Sequence, residues 1–226
     1  MAVSVPVAHP PPAMLAPGKT QRLGVFGGAF DPPHLAHAAL AQAAMAQLQL
    51  GELRVVPTGH AWHKPRPLTA APHRLAMAQL AFGGQPGVVV DEREIRRAGP
   101  TYTLDTLREL QAEQPTAQLY LVLGADQAAA LHTWHQAHDI VRIAIIYVAA
   151  RAGKSLATGQ FDSQFATQAA FSGSSGLGSI ELQLPLMPIS ATAVRLHAAQ
   201  GLALTHLVAP AVARYIQDHH LYQGVE

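Results

Sequence analysis

Two histidines three residues apart, His34 and His37, close the run GGAFDPPHLAH at 27–37. It follows directly on the apolar stretch that ends at Val25 and Phe26. Gly27 and Gly28 carry no Cβ, so their backbone N–H groups can approach a bulky anion. Pro32 and Pro33 suit the start of a helix, whose first N–H groups favour negative charge. On that helix, residues i and i+3 share a face, so the two imidazoles stand together. The chemistry this combination suggests is the handling of a phosphate. The competing reading is a glycine-rich corner whose histidines only cap or pack.

A second element of the same kind lies far along the chain, in PISATAVR at 188–195. Ser190 is placed to cap a helix, and Thr192 and Arg195 fall in its first turns. The Arg195 guanidinium can fork two phosphate oxygens. A capped helix with a surface arginine would look the same, so this segment alone decides little.

These side chains need a scaffold to meet. Short β-rich runs occur at 23–26, 53–56, 88–90, 119–123 and 143–148. Helix-like stretches at 35–50, 73–82, 103–113 and 126–137 alternate with them. Continuous apolar strands are buried on both faces, and strand–helix alternation gives right-handed parallel crossovers. The fold class expected is α/β: a doubly wound, mostly parallel sheet. A short strand near 180–184, a helix from Ala191 and a last helix near 210–219 follow. In such sheets ligands bind beyond the carboxyl ends of the strands, where strand order reverses. If the first and fourth strands are neighbours, the turn after Phe26 and the turn Gly124-Ala125-Asp126 line one crevice.

The composition narrows the class. Apolar residues make up 49% of the 226-residue chain, charged residues 13%, and the formal net charge is +1. No basic excess points to nucleic acid, and no apolar run approaches the roughly 20 residues of a membrane span. The absence of cysteine excludes disulfides and zinc–thiolate sites and suits a cytoplasmic protein. Residues 1–20 hold five prolines and read as a disordered lead, leaving 21–226 as one domain. Residues 152–179, rich in Gly, Ser, Gln and Ala, read as a long mobile loop. His132, His135 and His138 would fan too widely around a helix to share one ion, so no protein-held metal is expected. The oligomeric state stays open, a homo-oligomer included.

GGAFDPPHLAH and ISATAVR together resemble the (H/T)xGH and ISSTxxR signatures of the nucleotidylyltransferase superfamily. HKPRP (63–67), HRLAM (73–77), DEREIRRAGPTYTLDTLREL (91–110) and GADQAAALHTWHQAHDI (124–140) narrow the likeness to bacterial nicotinate-nucleotide adenylyltransferases. The resemblance spans about residues 22 to 223 and implies a Rossmann-like fold with C-terminal helices. It implies adenylyl transfer from ATP to nicotinate mononucleotide, giving deamido-NAD and pyrophosphate, with Mg²⁺ carried by ATP.

It also implies residue roles. His37, His34 and Arg195 are the catalytic candidates, acting on phosphate charge. Gly27, Gly28, Phe30, Gly124, Asp126, Ser190 and Thr192 complete the ATP site, with Asp126 near the ribose hydroxyls. Tyr102, Thr103 and Trp134 form the nicotinate end, where the indole suits a flat cationic ring. Trp62 is placed in a loop that would lie over the site. Backbone N–H groups around 102–104 would receive the carboxylate and reject an amide. The chain departs from the usual pattern at Ala29, where the family has Thr, and at Ala36, where it has Gly. The readings kept beside this one are a different phosphate acceptor, such as nicotinamide mononucleotide or phosphopantetheine, and an idle nucleotide-binding module.

Overall fold

The computed structural model describes residues 21–59, 67–151, 180–184 and 187–224. The expectations for 1–20, for 152–179 and for Trp62 lie outside the described residues. Six strands form one sheet: β1 (Arg22–Gly28), β2 (Glu52–Pro57), β3 (Val88–Val90), β4 (Gln118–Gly124), β5 (Ala144–Arg151) and β6 (Ile180–Leu184). Their order is β3-β2-β1-β4-β5-β6, and all five pairings are parallel.

The apolar strands are buried on both faces, as their continuous hydrophobicity requires. Leu23, Val25, Leu119, Leu121 and Leu123 point to one side and pack with α4 (Thr103–Glu113), α5 (Ala125–Ala130) and α6 (Ala137–Ile143). Phe26, Tyr120 and Val122 point to the other, against α1 (Leu35–Gln47) and α2 (Ala71–Phe82). Met77 on α2 belongs to a third cluster with α7 (Ala191–Ala199) and α8 (Pro210–Asp218), which ties the C-terminal helices to the sheet domain.

Strand order reverses between β1 and β4, and there the sheet opens. The β1–β4 ladder ends at Val25↔Leu121. By contrast, β1 stays paired with β2 to Gly28↔Pro57, and β4 with β5 to Gly124↔Ala149. The last three residues of each strand therefore part from one another, leaving a cleft at the carboxyl edge.

One expected helix is wrong. In place of a continuous helix over 126–137, α5 ends at Ala130, a 3₁₀ turn covers Leu131–Thr133, and Trp134 is extended. Gln136 adopts the left-handed conformation with φ 51° before α6 begins. No glycine or proline marks this break. A short helix, α3 (Arg93–Arg96), also went unread, being a single turn.

Candidate active site

The cleft is framed by two glycines. A Cβ placed on Gly27 or on Gly124 would meet no atom within 4 Å among the described residues, so both strand ends face open space there. The next residues close in at once. Phe30 turns with φ 46° and buries its ring edge-on against Phe26, at 5.3 Å. The Asp31–Pro32 peptide bond is cis, and Asp31 is buried.

His34 is the N-cap of α1. Its backbone N–H donates to Nδ1 of His37 at 3.2 Å, and the two rings stack 3.7 Å apart at 17°. A neutral imidazole that accepts at Nδ1 carries its proton on Nε2. His37 therefore presents an N–H donor. Burial holds both rings far below the ordinary imidazole value of 6.5, His34 at about 4 and His37 at about 3, with His34 adding to the effect on His37. The pair is neutral at pH 7. Nδ1 of His34 is buried with no hydrogen-bond partner among the described residues. A buried, unsatisfied polar nitrogen is costly and fits a site whose ligand completes it.

The N-terminus of α1 offers fewer N–H donors than the sequence suggested. The Leu35 N–H donates to the Leu207 carbonyl at 2.9 Å, and that of His37 turns back to the His34 carbonyl at 2.9 Å. Recognition at this corner must therefore lean on side chains and on the glycine turn.

Arg195 brings in the second phosphate element. Ser190 caps α7 as expected, its Oγ accepting from the Ala193 N–H at 3.1 Å. Arg195 donates from Nη2 to the Thr192 hydroxyl at 3.0 Å and from Nη1 to the Asp31 carbonyl at 2.9 Å. The two motifs are thus joined across the mouth of the cleft. Asp126 lies exposed in the first turn of α5, beside Gly124.

The nicotinate candidates come from the start of α4 and the end of the 3₁₀ turn. Tyr102 is the N-cap of α4 and Thr103 its first residue. Trp134 is partly buried against the core that includes Leu104 and Leu107. Its neighbour His135, exposed, stacks on Tyr102 at 4.2 Å and 27°. The break in the helix produces this contact, which a continuous helix over 126–137 did not anticipate.

Three residues that matter here carried no assigned role in the sequence. Asp31 accepts hydrogen bonds from the Tyr222 hydroxyl at 2.8 Å and from the Thr69 N–H at 3.2 Å. Tyr222 is buried, and its phenol is held well above its ordinary range by burial and by the adjacent Asp31. Arg74 is 1% exposed and donates only to backbone carbonyls. Its one signal in the sequence was an arginine inside the apolar pattern of HRLAM.

Among the described residues, no group of three or more His, Cys, Asp or Glu is arranged to hold a metal ion. At the phosphate corner the nitrogens of His34, His37 and Arg195 are poor ligands for a hard cation, and the Asp31 carboxylate is already bonded. Among the described residues this corner offers no set of hard oxygen donors that would hold a cation by itself.

The cytidylyltransferase-like family profile matches residues 25–197. A probable nicotinate-nucleotide adenylyltransferase of Albidiferax ferrireducens is 55% identical, over 90% of this chain and 98% of its own. One of Methylibium petroleiphilum is 40% identical, over 89% and 92%. Among solved structures, Plasmodium falciparum nicotinic acid mononucleotide adenylyltransferase complexed with NaAD superposes with a TM-score of 0.71. That match is 18% identical over 89% of this chain and 97% of the other, a likeness of fold. With the cleft, the histidine pair and the Arg195 bridge in place, the chain belongs to the cytidylyltransferase-like family and, within it, to the nicotinate-nucleotide adenylyltransferases, enzymes of the nucleotidyltransferase class.

Proposed function

We propose that this chain transfers the adenylyl group of ATP to nicotinate mononucleotide, in the cytoplasm, through the cleft between β1 and β4. The observation that carries the reading is the bond from Arg195 to the Asp31 carbonyl, three residues before the stacked His34–His37 pair. An oxygen of the mononucleotide 5′-phosphate attacks the α-phosphorus of ATP, and the bond to the β-phosphate bridging oxygen breaks. Pyrophosphate leaves with that electron pair. The attacking oxygen is already an anion, so no general base is needed. What the protein supplies is alignment and hydrogen bonding to the spreading charge.

His37 donates from Nε2 to an oxygen of the reacting phosphate, and His34, with its proton on the unpartnered Nδ1, donates a second hydrogen bond there. The open edges of Gly27 and Gly124 take the adenosine and the first phosphate, with Phe30 shaping the turn and Asp126 at the ribose. Arg195, with the N–H groups that follow Ser190 and with Thr192, holds the outer phosphates. Mg²⁺ arrives with ATP and neutralises phosphate charge. Trp134 and Tyr102 flank the pyridinium ring, and the N–H groups at Thr103 receive its carboxylate.

Pyrophosphate release from Mg-ATP, with nicotinate mononucleotide, nicotinamide mononucleotide and phosphopantetheine offered in parallel, tests this. Release with the nicotinate compound alone is expected. Release with another acceptor keeps the chemistry and overturns the substrate, and silence with all three despite ATP binding favours an idle nucleotide sensor. His37→Ala is expected to lower kcat by about 10²–10³-fold, the usual effect of losing one such donor, while ATP still binds.

A further inference from the structure

Arg74 stands on α2, and its guanidinium reaches the turn after β1, the residues after β2 and the residue ahead of α2. Nε donates to the Thr69 carbonyl at 2.8 Å, ahead of α2. Nη1 donates to the Ala29 carbonyl at 3.0 Å, in the turn after β1, and to Thr58 after β2. Nη2 donates to the Gly59 carbonyl at 3.1 Å. A buried cation is expensive, and an apolar side chain on this helix would fill the space at lower cost. Its planar fork, by contrast, fixes four carbonyls at set directions, which no other side chain can do.

We infer that Arg74 is a positioning residue for adenylyl transfer, setting the spacing of the β1 and β2 loops on which the two ends of the site are built. Ala29 lies between the glycine turn and Phe30, so a shift of its carbonyl displaces the phosphate corner. Gly59 lies against α3 so closely that a Cβ there would collide with the Glu94 carbonyl oxygen. The Glu94 carboxylate in turn accepts from the Thr106 hydroxyl at 2.8 Å, in the first turns of α4. The nicotinate end is therefore referenced to the same guanidinium as the ATP end. Asp31, buried nearby, offsets part of the Arg74 charge without bonding to it through the fork.

The inference rests on the adenylyl-transfer reading, and its test is read as a ratio to the wild type. Each substrate keeps its own contacts when Arg74 is changed, so the loss belongs in alignment and not in binding. Arg74→Lys, which keeps the charge and loses the fork, is expected to lower kcat about 10²-fold, the scale of a 1 Å misplacement, with both KM values nearly unchanged. In Arg74→Ala, added guanidinium well below denaturing concentrations is expected to restore turnover where methylammonium does not. A Lys variant with wild-type kcat, or a loss confined to KM, overturns the inference, as does an Ala variant indifferent to guanidinium. If neither variant folds, proton NMR of the wild type decides. Slow solvent exchange of the Arg74 Nη protons is required, and solvent-like exchange overturns the clamp. A wild type inactive with every acceptor would overturn the reaction instead, and the NMR result would still stand on its own.

Discussion

Arg195 Nη1 donates to the backbone carbonyl of Asp31 at 2.9 Å, joining residues 164 positions apart. Each belongs to one of the two proposed phosphate elements, which this bond joins. The same guanidinium is steadied by Thr192 through Nη2. A bound polyphosphate would then meet a cation already oriented, with little side-chain entropy left to lose.

Arg195→Lys tests that relationship. A lysine keeps the charge and loses the fork, so it cannot hold Asp31, Thr192 and a phosphate together. The KM for ATP is expected to rise about tenfold or more, the scale of one charge-assisted bond, while the KM for nicotinate mononucleotide stays put. Steady-state kinetics with each substrate varied in turn would show it. An unchanged KM for ATP would remove Arg195 from the phosphate site.

Much of this is legible in the sequence. Strand–helix alternation and continuous apolar strands gave the parallel doubly wound sheet, because burial on both faces leaves that signature. Ser190, Thr192 and Arg195 fell where helix periodicity put them. What stayed hidden was of two kinds. The break at Trp134–Gln136 has no glycine or proline to announce it, and Gln136 takes the left-handed conformation although its residue type does not signal it. Arg74, Asp31 and Tyr222 work through contacts between distant segments, 191 residues apart for Tyr222 and Asp31, and local pattern carries no trace of such pairings. Burial likewise decides that the two histidines are neutral, and burial is a property of the fold.

Gly27→Ala separates ligand space from packing space. Among the described residues the added methyl meets no atom within 4 Å, and Gly27 is not in the left-handed region, so the described fold has no reason to resist it. A Gly→Ala change at a compatible site even stabilises by about 0.4–1 kcal/mol through the unfolded chain. The expected outcome is a melting temperature equal to or above that of the wild type, together with at least about tenfold weaker ATP binding, or about 1.4 kcal/mol. ATP titration calorimetry and thermal unfolding on the same sample would settle it. Undiminished ATP affinity would mean the nucleotide does not approach Gly27.

The histidine pair gives stability a pH dependence of known sign. In the folded protein His34 titrates at about 4 and His37 at about 3, against 6.5 ordinarily, because burial disfavours the cations. The unfolded chain takes up protons first as pH falls. The stabilisation is therefore complete above pH 6.5 and is lost progressively between 6.5 and the folded values. Urea unfolding of wild type and His37→Gln through this range would measure it, and the variant is expected to show the shallower slope. Equal slopes would show that His37 is not buried as a neutral ring.

Two aromatic neighbours compete for the pyridinium ring, and their geometry decides between them. His135 already spends its face on Tyr102, stacked at 4.2 Å. Trp134 is partly buried and packs against the core, with no ring stacked on it among the described residues. An indole face attracts a cationic ring by about 0.5–2 kcal/mol, so Trp134→Ala is expected to raise the KM for nicotinate mononucleotide about tenfold. The KM for ATP should not move if, as proposed, the adenosine sits near Gly124 and not beside Trp134. Trp134→Phe should recover part of the loss, and His135→Ala should cost much less than Trp134→Ala. If His135→Ala proves the more damaging variant, the Tyr102–His135 stack is the platform and Trp134 serves only the core.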